Sequence, residues 1–177
     1  QIGGVRYDVT TESINKIKKL SKNLRPVLQD FANMVSKDEI FMKRTKDIGI
    51  ISKALAEESG GSGPIARGSG INFDVRKNKP YECYSEFNFD IPLGVKGDAY
   101  DRTIVRMEEN IQSLNIVDQI TDGIPPGDLN SRKPLKSSKL TKPPKGSSYF
   151  SIESPRGELG FFIVSDGTSI PYRMKIR

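Results

Sequence analysis

The chain has 177 residues with 28 basic and 22 acidic side chains, a formal charge of +6, one cysteine and no histidine. That length suits one domain or two small ones with a sizeable core, and no apolar run approaches the roughly 18 to 20 residues that span a bilayer. Without histidine there is no Ser-His catalysis and no histidine-bearing zinc site, and a single Cys83 excludes both a disulfide framework and a cysteine-only metal site.

Residues 2–9 read as a short turn or strand entry, followed by the N-cap candidates Thr10, Thr11 and Ser13. From Ile14 the apolar residues Ile17, Leu20, Leu24, Val27, Leu28, Phe31 and Val35 recur every three or four positions, predicting a helix with one buried face. Pro26 lies inside it and predicts a kink or break. Lys16, Lys18, Lys19 and Lys22 mark its solvated side. Asp38 and Ser52 are expected to cap two short helices, the second stopped by Gly60-Gly61-Ser62-Gly63-Pro64.

A further helix starts after Gly97, with Asp98 as its N-cap. Tyr100, Ile104, Met107, Ile111, Leu114, Val117 and Ile120 form its expected buried stripe, and Gly123 with Pro125-Pro126 ends it. Between Ser131 and Gly146 lie six cations and no acid, the whole of the excess charge. So basic a segment, rich in Pro and Ser, reads as a solvated linker, with docking to an acidic partner or to anionic lipid headgroups as the alternative; nucleic-acid recognition comes last, since no aromatics are interleaved to stack bases. The period then changes to two. Residues 148–152, 159–164 and 170–176 predict three antiparallel strands, with a reverse turn at 154–157 and a tight hairpin at Asp166-Gly167. The class is α+β: helices of an antiparallel bundle plus a small three-stranded antiparallel sheet. The expected division is residues 1–130 for the helical part, 131–147 for the linker and 148–177 for the β meander.

The densest motifs lie in residues 66–101. Arg67-Gly68-Ser69-Gly70 is neither a Walker loop nor a dinucleotide fingerprint. It reads as a tight turn whose arginine pairs with a carboxylate, with anion cradling as the alternative. Asp98, Asp101, Arg102 and Arg106 read as a capping aspartate plus a salt bridge, with a coupling or proton-relay role as the alternative. Tyr81, Tyr84, Phe87 and Phe89 read as aromatic packing, and Cys83 among them as a small buried hydrophobe. No residue is expected to be catalytic, cofactor-binding or metal-ligating. Arg67, Asp98, Arg102 and Arg106 are the candidates for structural coupling.

These motifs, together with Gly3-Gly4-Val5, Lys43-Arg44-Thr45, Gly63-Pro64, Arg156-Gly157-Glu158-Leu159-Gly160 and the run Ser165-Asp166-Gly167-Thr168-Ser169-Ile170-Pro171-Tyr172-Arg173, resemble the D-type (49-kilodalton-type) subunits of respiratory complex I. That family shares its fold with nickel-iron hydrogenase large subunits, so the resemblance implies a partial hydrogenase-large-subunit-like fold. It also implies a peripheral-arm component of a proton-translocating NADH-quinone oxidoreductase that helps to build the quinone-reduction site. The expected partners are the subunit bearing the terminal iron-sulfur cluster, the C-type neighbour and quinone, with no cofactor bound by this stretch and NADH oxidised elsewhere. The location implied is the cytoplasmic side of a bacterial inner membrane or the matrix side of the mitochondrial one.

In that family a histidine and a tyrosine on an N-terminal hairpin meet the quinone headgroup, and hydrogenases bind metal through two Cys-x-x-Cys motifs. This sequence has neither, and a start without Met and an end inside a strand suggest a piece of a longer protein. A membrane-bound hydrogenase or deazaflavin-dependent dehydrogenase large-chain homologue, and a non-redox interaction scaffold, are the remaining readings. The Lys/Ser/Pro segment at 131–146 departs from the helical or aromatic stretch expected of many relatives.

Overall fold

The computed structural model describes residues 4–129 and 142–177, so most of the expected linker lies outside the described residues. The helices are α1 (Thr11–Lys37), α2 (Glu39–Thr45), α3 (Lys53–Glu58), α4 (Gly63–Gly68), α5 (Val75–Asn78) and α6 (Ala99–Gly123). The strands are β1 (Gly146–Ser154), β2 (Gly157–Ser165) and β3 (Arg173–Ile176), in spatial order β1-β2-β3 and antiparallel throughout. None of the described helices is long and apolar enough to cross a membrane. The α+β class and the three-stranded sheet are as expected.

The central element is α6. Asp98 caps it by accepting the Asp101 N–H at 2.8 Å, as its position before the apolar run predicts. Its buried residues are Val105, Leu114, Ile116 and Thr121, of which only Leu114 belongs to the expected stripe. Tyr100, Ile104, Met107, Ile111 and Val117 of that stripe are half-buried and Ile120 is exposed, and burial reaches Val105 and Ile116 as well because α6 is covered on more than one side. α1 packs on one flank, α4 on another, and the extended residues 88–90 lie along it through Gln side chains. Asn88 N–H donates to Gln119 Oε1, Gln119 Nε2 returns a bond to Asn88 O, and Asp90 N–H donates to Gln112 Oε1.

α1 runs unbroken from its Thr10 cap, which accepts the Ser13 N–H, to Lys37. The expected break at Pro26 does not occur. Pro26 is exposed on the side facing away from α6, so its ring meets solvent and the carbonyl it leaves unpaired, that of exposed Lys22, can be hydrated. α1 and α6 are antiparallel and meet through a polar seam. Lys18 pairs with Asp122 at 2.7 Å, Ser21 Oγ donates to Asp118 Oδ1 at 2.5 Å, and Arg25 bridges Asp118 at 2.7 Å and Asn115 at 3.0 Å. Only part of the face predicted to be buried is covered: Ile17, Leu20, Leu24, Val27 and Phe31 are exposed, while Leu28 and Val35 are half-buried and Ser21, not predicted, is buried.

Asp38 and Ser52 cap α2 and α3 as expected, accepting the N–H groups of Phe41 and Leu55. The Gly60–Pro64 run ends α3 but also opens α4, with Pro64 in the first turn where a missing N–H costs nothing. Neither α4 nor α5 is predicted from periodicity, being only 6 and 4 residues long. Cys83 is exposed rather than buried, because it sits in a turn at the rim of the aromatic group. Tyr81 and Tyr84 pack edge-on at 4.9 Å, and Phe89 is buried beneath Arg76 and Lys77.

β1 and β2 pair from Gly146↔Ser165 to Ser154↔Gly157 around the expected reverse turn. The expected third strand begins three residues late, at Arg173. Asp166-Gly167 is not a two-residue hairpin: Thr168 N–H donates to Asp166 Oδ1 and Thr168 Oγ1 to Ile170 O, and Pro171 has no N–H to extend the ladder. The sheet rests on α4 at a point without side chains. The Gly63 and Gly157 backbones touch, both at positive φ (62° and 124°), and a Cβ on either would overlap the other segment. Beside them Ser62 Oγ accepts the Glu158 N–H at 3.1 Å.

Candidate functional site

Arg67 lies in the last turn of α4 and is only 2% exposed. Its Nε donates to Glu109 Oε1 on α6 at 2.5 Å, and its Nη1 donates to Glu153 Oε1 on β1 at 2.9 Å and to Phe73 O at 3.0 Å. Asp74 Oδ2 stands 3.6 Å from the same Nη1. Asp74 in turn holds Arg76 through two side-chain bonds of 3.0 and 2.7 Å. The second oxygen of Glu153 accepts the Val75 N–H that opens α5, at 3.0 Å.

Two cations and three carboxylates therefore tie α4, α5, α6 and β1 together at one point. Buried charges of this kind are stable only when each is paired and hydrogen-bonded. Here that condition is met: among the described residues no buried side-chain nitrogen or oxygen lacks a partner.

Electrostatics divide the carboxylates. Burial works to raise Asp74, but the Arg76 hydrogen bonds and charge, with Arg67 behind them, bring it below the usual range. Burial raises Glu109, and the Arg67 guanidinium offsets only part of that. Glu108, one residue away, is likewise raised by burial. Thus α6 carries two neighbouring acids that hold a proton at higher pH than exposed glutamates do.

A cavity of about 410 Å³ opens beside the cluster, lined by Arg67, Arg76, Arg106, Glu109, Asn110 and Glu153 among others. Arg106 donates to the Arg102 carbonyl at 2.9 Å. Of the four residues singled out from sequence, Arg67 and Arg106 share this cavity.

Asp98 and Arg102 belong to a second cluster, at the start of α6. Asp98 is 1% exposed and accepts the Asp47 N–H at 2.8 Å in addition to the Asp101 cap. Burial would raise its carboxyl, yet the backbone donors of Asp101 and Asp47 with the Lys96 and Arg102 charges hold it below the usual range. Asp101 Oδ2 accepts the N–H groups of Val95, Lys96 and Gly97, and Arg102 Nη1 donates to Gly97 O at 2.6 Å. Gly97 has φ 71° and passes so close to the Ile51 carbonyl that no side chain fits.

Arg102 and Arg106 bond to backbone carbonyls, and the described residues pair neither with a carboxylate. Arg67 does pair with carboxylates as its sequence reading expected, from a helix rather than a tight turn. The sequence reading missed Glu109 and Glu153 as partners, which lie 42 and 86 residues from Arg67. Among the described residues no group of three or more Cys, Asp or Glu is placed to hold a metal ion.

The whole chain, residues 1–177, matches the family described as respiratory-chain NADH dehydrogenase, 49 Kd subunit. It is 42% identical over its full length to the D-type subunit of the NADH-quinone oxidoreductase of Dehalococcoides mccartyi and 44% identical to that of Desulfotalea psychrophila, covering 47% of each. The chain thus spans about half the length of the curated relatives it matches. Among solved structures, a chain of the membrane-bound sulfane sulfur reductase, an archaeal respiratory membrane complex, superposes with a TM-score of 0.88 at 37% identity, covering 99% of this chain and 48% of that one. With its motifs, its α+β architecture and a family match running from first residue to last, the chain belongs to the 49 Kd subunit family of respiratory-chain NADH dehydrogenases.

Proposed function

We propose that this chain is the stretch of a D-type complex I protein that locks helices to sheet in the peripheral arm of an NADH-quinone oxidoreductase. Quinone and a neighbouring protein's iron-sulfur cluster belong to the assembled complex, and this stretch supplies the frame that holds their cavity in shape. The observation that carries the reading is Arg67, which bonds Glu109 of α6 and Glu153 of β1 with a single guanidinium. A frame for electron transfer must keep its elements in fixed register, and multiply paired buried charges have defined geometry where apolar contacts slide. The partners are other members of the complex, the cluster-bearing one and the C-type neighbour first, on the cytoplasmic or matrix face of the membrane. Arg102 and Arg106 are the coupling residues on α6.

The test uses membranes carrying the assembled complex. Removing the gene should abolish NADH-dependent quinone reduction, and Arg102→Ala should lower turnover while the complex still assembles. Full quinone reduction in the deletion strain would sink the assignment, and unchanged turnover in Arg102→Ala would sink the coupling role alone. A second reading has a specific observation behind it. The 37% identical neighbour belongs to a sulfane sulfur reductase complex, so the same frame can serve another terminal acceptor. Deletion membranes that keep quinone reduction but lose polysulfide reduction would select that reading.

A further inference from the structure

The cavity beside the buried charge cluster is lined by three guanidinium groups, each from a different helix: Arg67 of α4, Arg76 of α5 and Arg106 of α6. Two of them are locked. Arg67 directs Nε to Glu109 and Nη1 to Glu153 and Phe73 O, and Arg76 directs Nε and Nη2 to Asp74. The Arg76 guanidinium also lies over the Phe89 ring at 4.8 Å, which fixes its plane.

Arg67 Nη2, Arg76 Nη1 and the Nε and Nη2 of Arg106 are left without an acceptor among the described residues. Arg67 is 2% exposed, yet none of its nitrogens is both buried and unpartnered. Its Nη2 is therefore the atom that reaches open space, and the open space it borders is this cavity. A nearly buried guanidinium edge with no protein acceptor is an anion contact already in place.

The other groups around these edges do not oppose an anion strongly. Asn110, Ser113 and Ser154 are neutral. Both oxygens of Glu153 are taken, by Arg67 and by the Val75 N–H, and burial raises Glu109 so that it keeps its proton to higher pH. The charges around Glu109 are Arg67 from α4, Asp74 and Arg76 at the start of α5, Glu153 from β1, and Arg106 and Glu108 on α6 itself. With Glu109 ionised, the three arginines are balanced by Asp74, Glu109 and Glu153; with Glu109 protonated, one positive charge is left over.

Shape narrows the ligand class. Guanidinium edges arriving from three elements suit a tetrahedral oxyanion, whose oxygens point in several directions. A planar carboxylate is already satisfied by one arginine fork. The volume of about 410 Å³ exceeds what a bare oxyanion fills and falls in the range of pockets for small organic ligands. Pro155 and the aliphatic stems of the arginines give part of the wall an apolar character.

We propose that this cavity binds the phosphoryl group of a phosphate ester, held by the open edges of Arg67, Arg76 and Arg106, with the organic part against Pro155. The site adds a ligand to the frame described above and does not depend on which acceptor the assembled complex reduces.

The test uses the assembled complex purified from membranes, with radiolabelled sulfate as the probe, because sulfate keeps its charge while Glu109 titrates. Equilibrium dialysis at constant ionic strength compares wild type with three variants, and native electrophoresis confirms assembly of each. Arg106→Gln and Ser113→Asp leave the buried cluster intact, since Arg106 bonds the Arg102 carbonyl and Ser113 the Glu109 carbonyl. Each should weaken sulfate binding about tenfold, by removing a positive charge or adding a negative one close to a dianion. Glu109→Gln keeps an oxygen for Arg67 and removes a negative charge, so it should tighten binding about threefold. Wild-type binding should tighten as pH falls and Glu109 takes up its proton, and Glu109→Gln should lose that dependence. Displacement of sulfate by glycerol phosphate assigns a soluble ester, and displacement only by phosphatidic acid in mixed micelles assigns a lipid headgroup. Four results would overturn the proposal: no saturable site in wild type, unchanged binding in Arg106→Gln and Ser113→Asp, weaker binding in Glu109→Gln, or displacement by neither ester.

Discussion

The two flanks of α6 are joined to their neighbours in opposite ways. On the side of α4 and β1 the joint is buried, with Arg67, Asp74 and Glu153 almost free of solvent and every charge paired. On the side of α1 the joint is a seam of partly exposed polar groups: the Arg25–Asp118 pair has side chains 29% and 42% exposed, and the large apolar residues of α1 point elsewhere. In the first joint, removing any one charge leaves another buried without its partner. The second leaves much of the apolar line of α1 exposed.

The largest expected effect breaks the first joint. Arg67→Met leaves three carboxylates around a neutral side chain, and should destabilise the chain by about 3–5 kcal/mol, the range for removing one partner of a buried pair. Urea or thermal unfolding reads this directly. A cost below about 1 kcal/mol would mean that the cluster is hydrated in solution. Next comes the side-chain-free contact under the sheet. Gly157→Ala must push the β1–β2 turn off α4 and adds a Cβ at φ 124°, so a loss of about 1–3 kcal/mol is expected, with faster hydrogen exchange in β1 and β2.

Asp118→Ala tests the second joint. It removes the bonds from Ser21 and Arg25 but acts on an exposed pair, so about 1 kcal/mol or less is expected, with exchange rising in α1 and unchanged in the sheet. Equal losses in Arg67→Met and Asp118→Ala would erase the contrast.

Acid titration sharpens it further. Asp74 and Asp98 have folded pKa values below their unfolded ones, so the stability they contribute is present above about pH 4 and is lost as pH falls through the folded values. Glu109 works in the other direction. Its folded pKa is raised, so it takes stability away as pH rises from its unfolded to its folded value. Asp74→Asn should flatten the acid limb of the stability curve, and Glu109→Gln should remove the loss on the neutral side. The smallest effect is Leu24→Ser, within about 0.5 kcal/mol in the chain alone, because Leu24 is already nearly half exposed.

How much of this was legible depends on range. α6, α2 and α3 announce themselves through Asp98, Asp38 and Ser52, since a cap and its helix are neighbours in sequence. The strands are legible in their alternation, except where Pro171 and the Thr168 turn shorten β3. The error on α1 has a physical cause. Periodicity finds the most apolar line on a helix, and on α1 much of that line is exposed, while the contact made with α6 runs through Ser21 and Arg25. At the candidate site, Arg67 stood out through the glycines around it. Its partners did not: nothing near Glu153 in β1 distinguishes it from a surface glutamate of an alternating strand. Only the fold brings it 86 positions back to Arg67.

The entry and exit of the helical half meet. Val5 N–H donates to the Leu129 carbonyl at 2.9 Å, so the path that leaves through α1 returns along α6 to its starting point. A unit whose two connections emerge side by side can be carried by a host fold like a branch from a stem, since whatever joins it needs to span almost no distance. Lengthening either joining segment leaves the Arg67 frame intact, whereas moving the helical unit to a different host would leave Glu153 of β1 behind and break it.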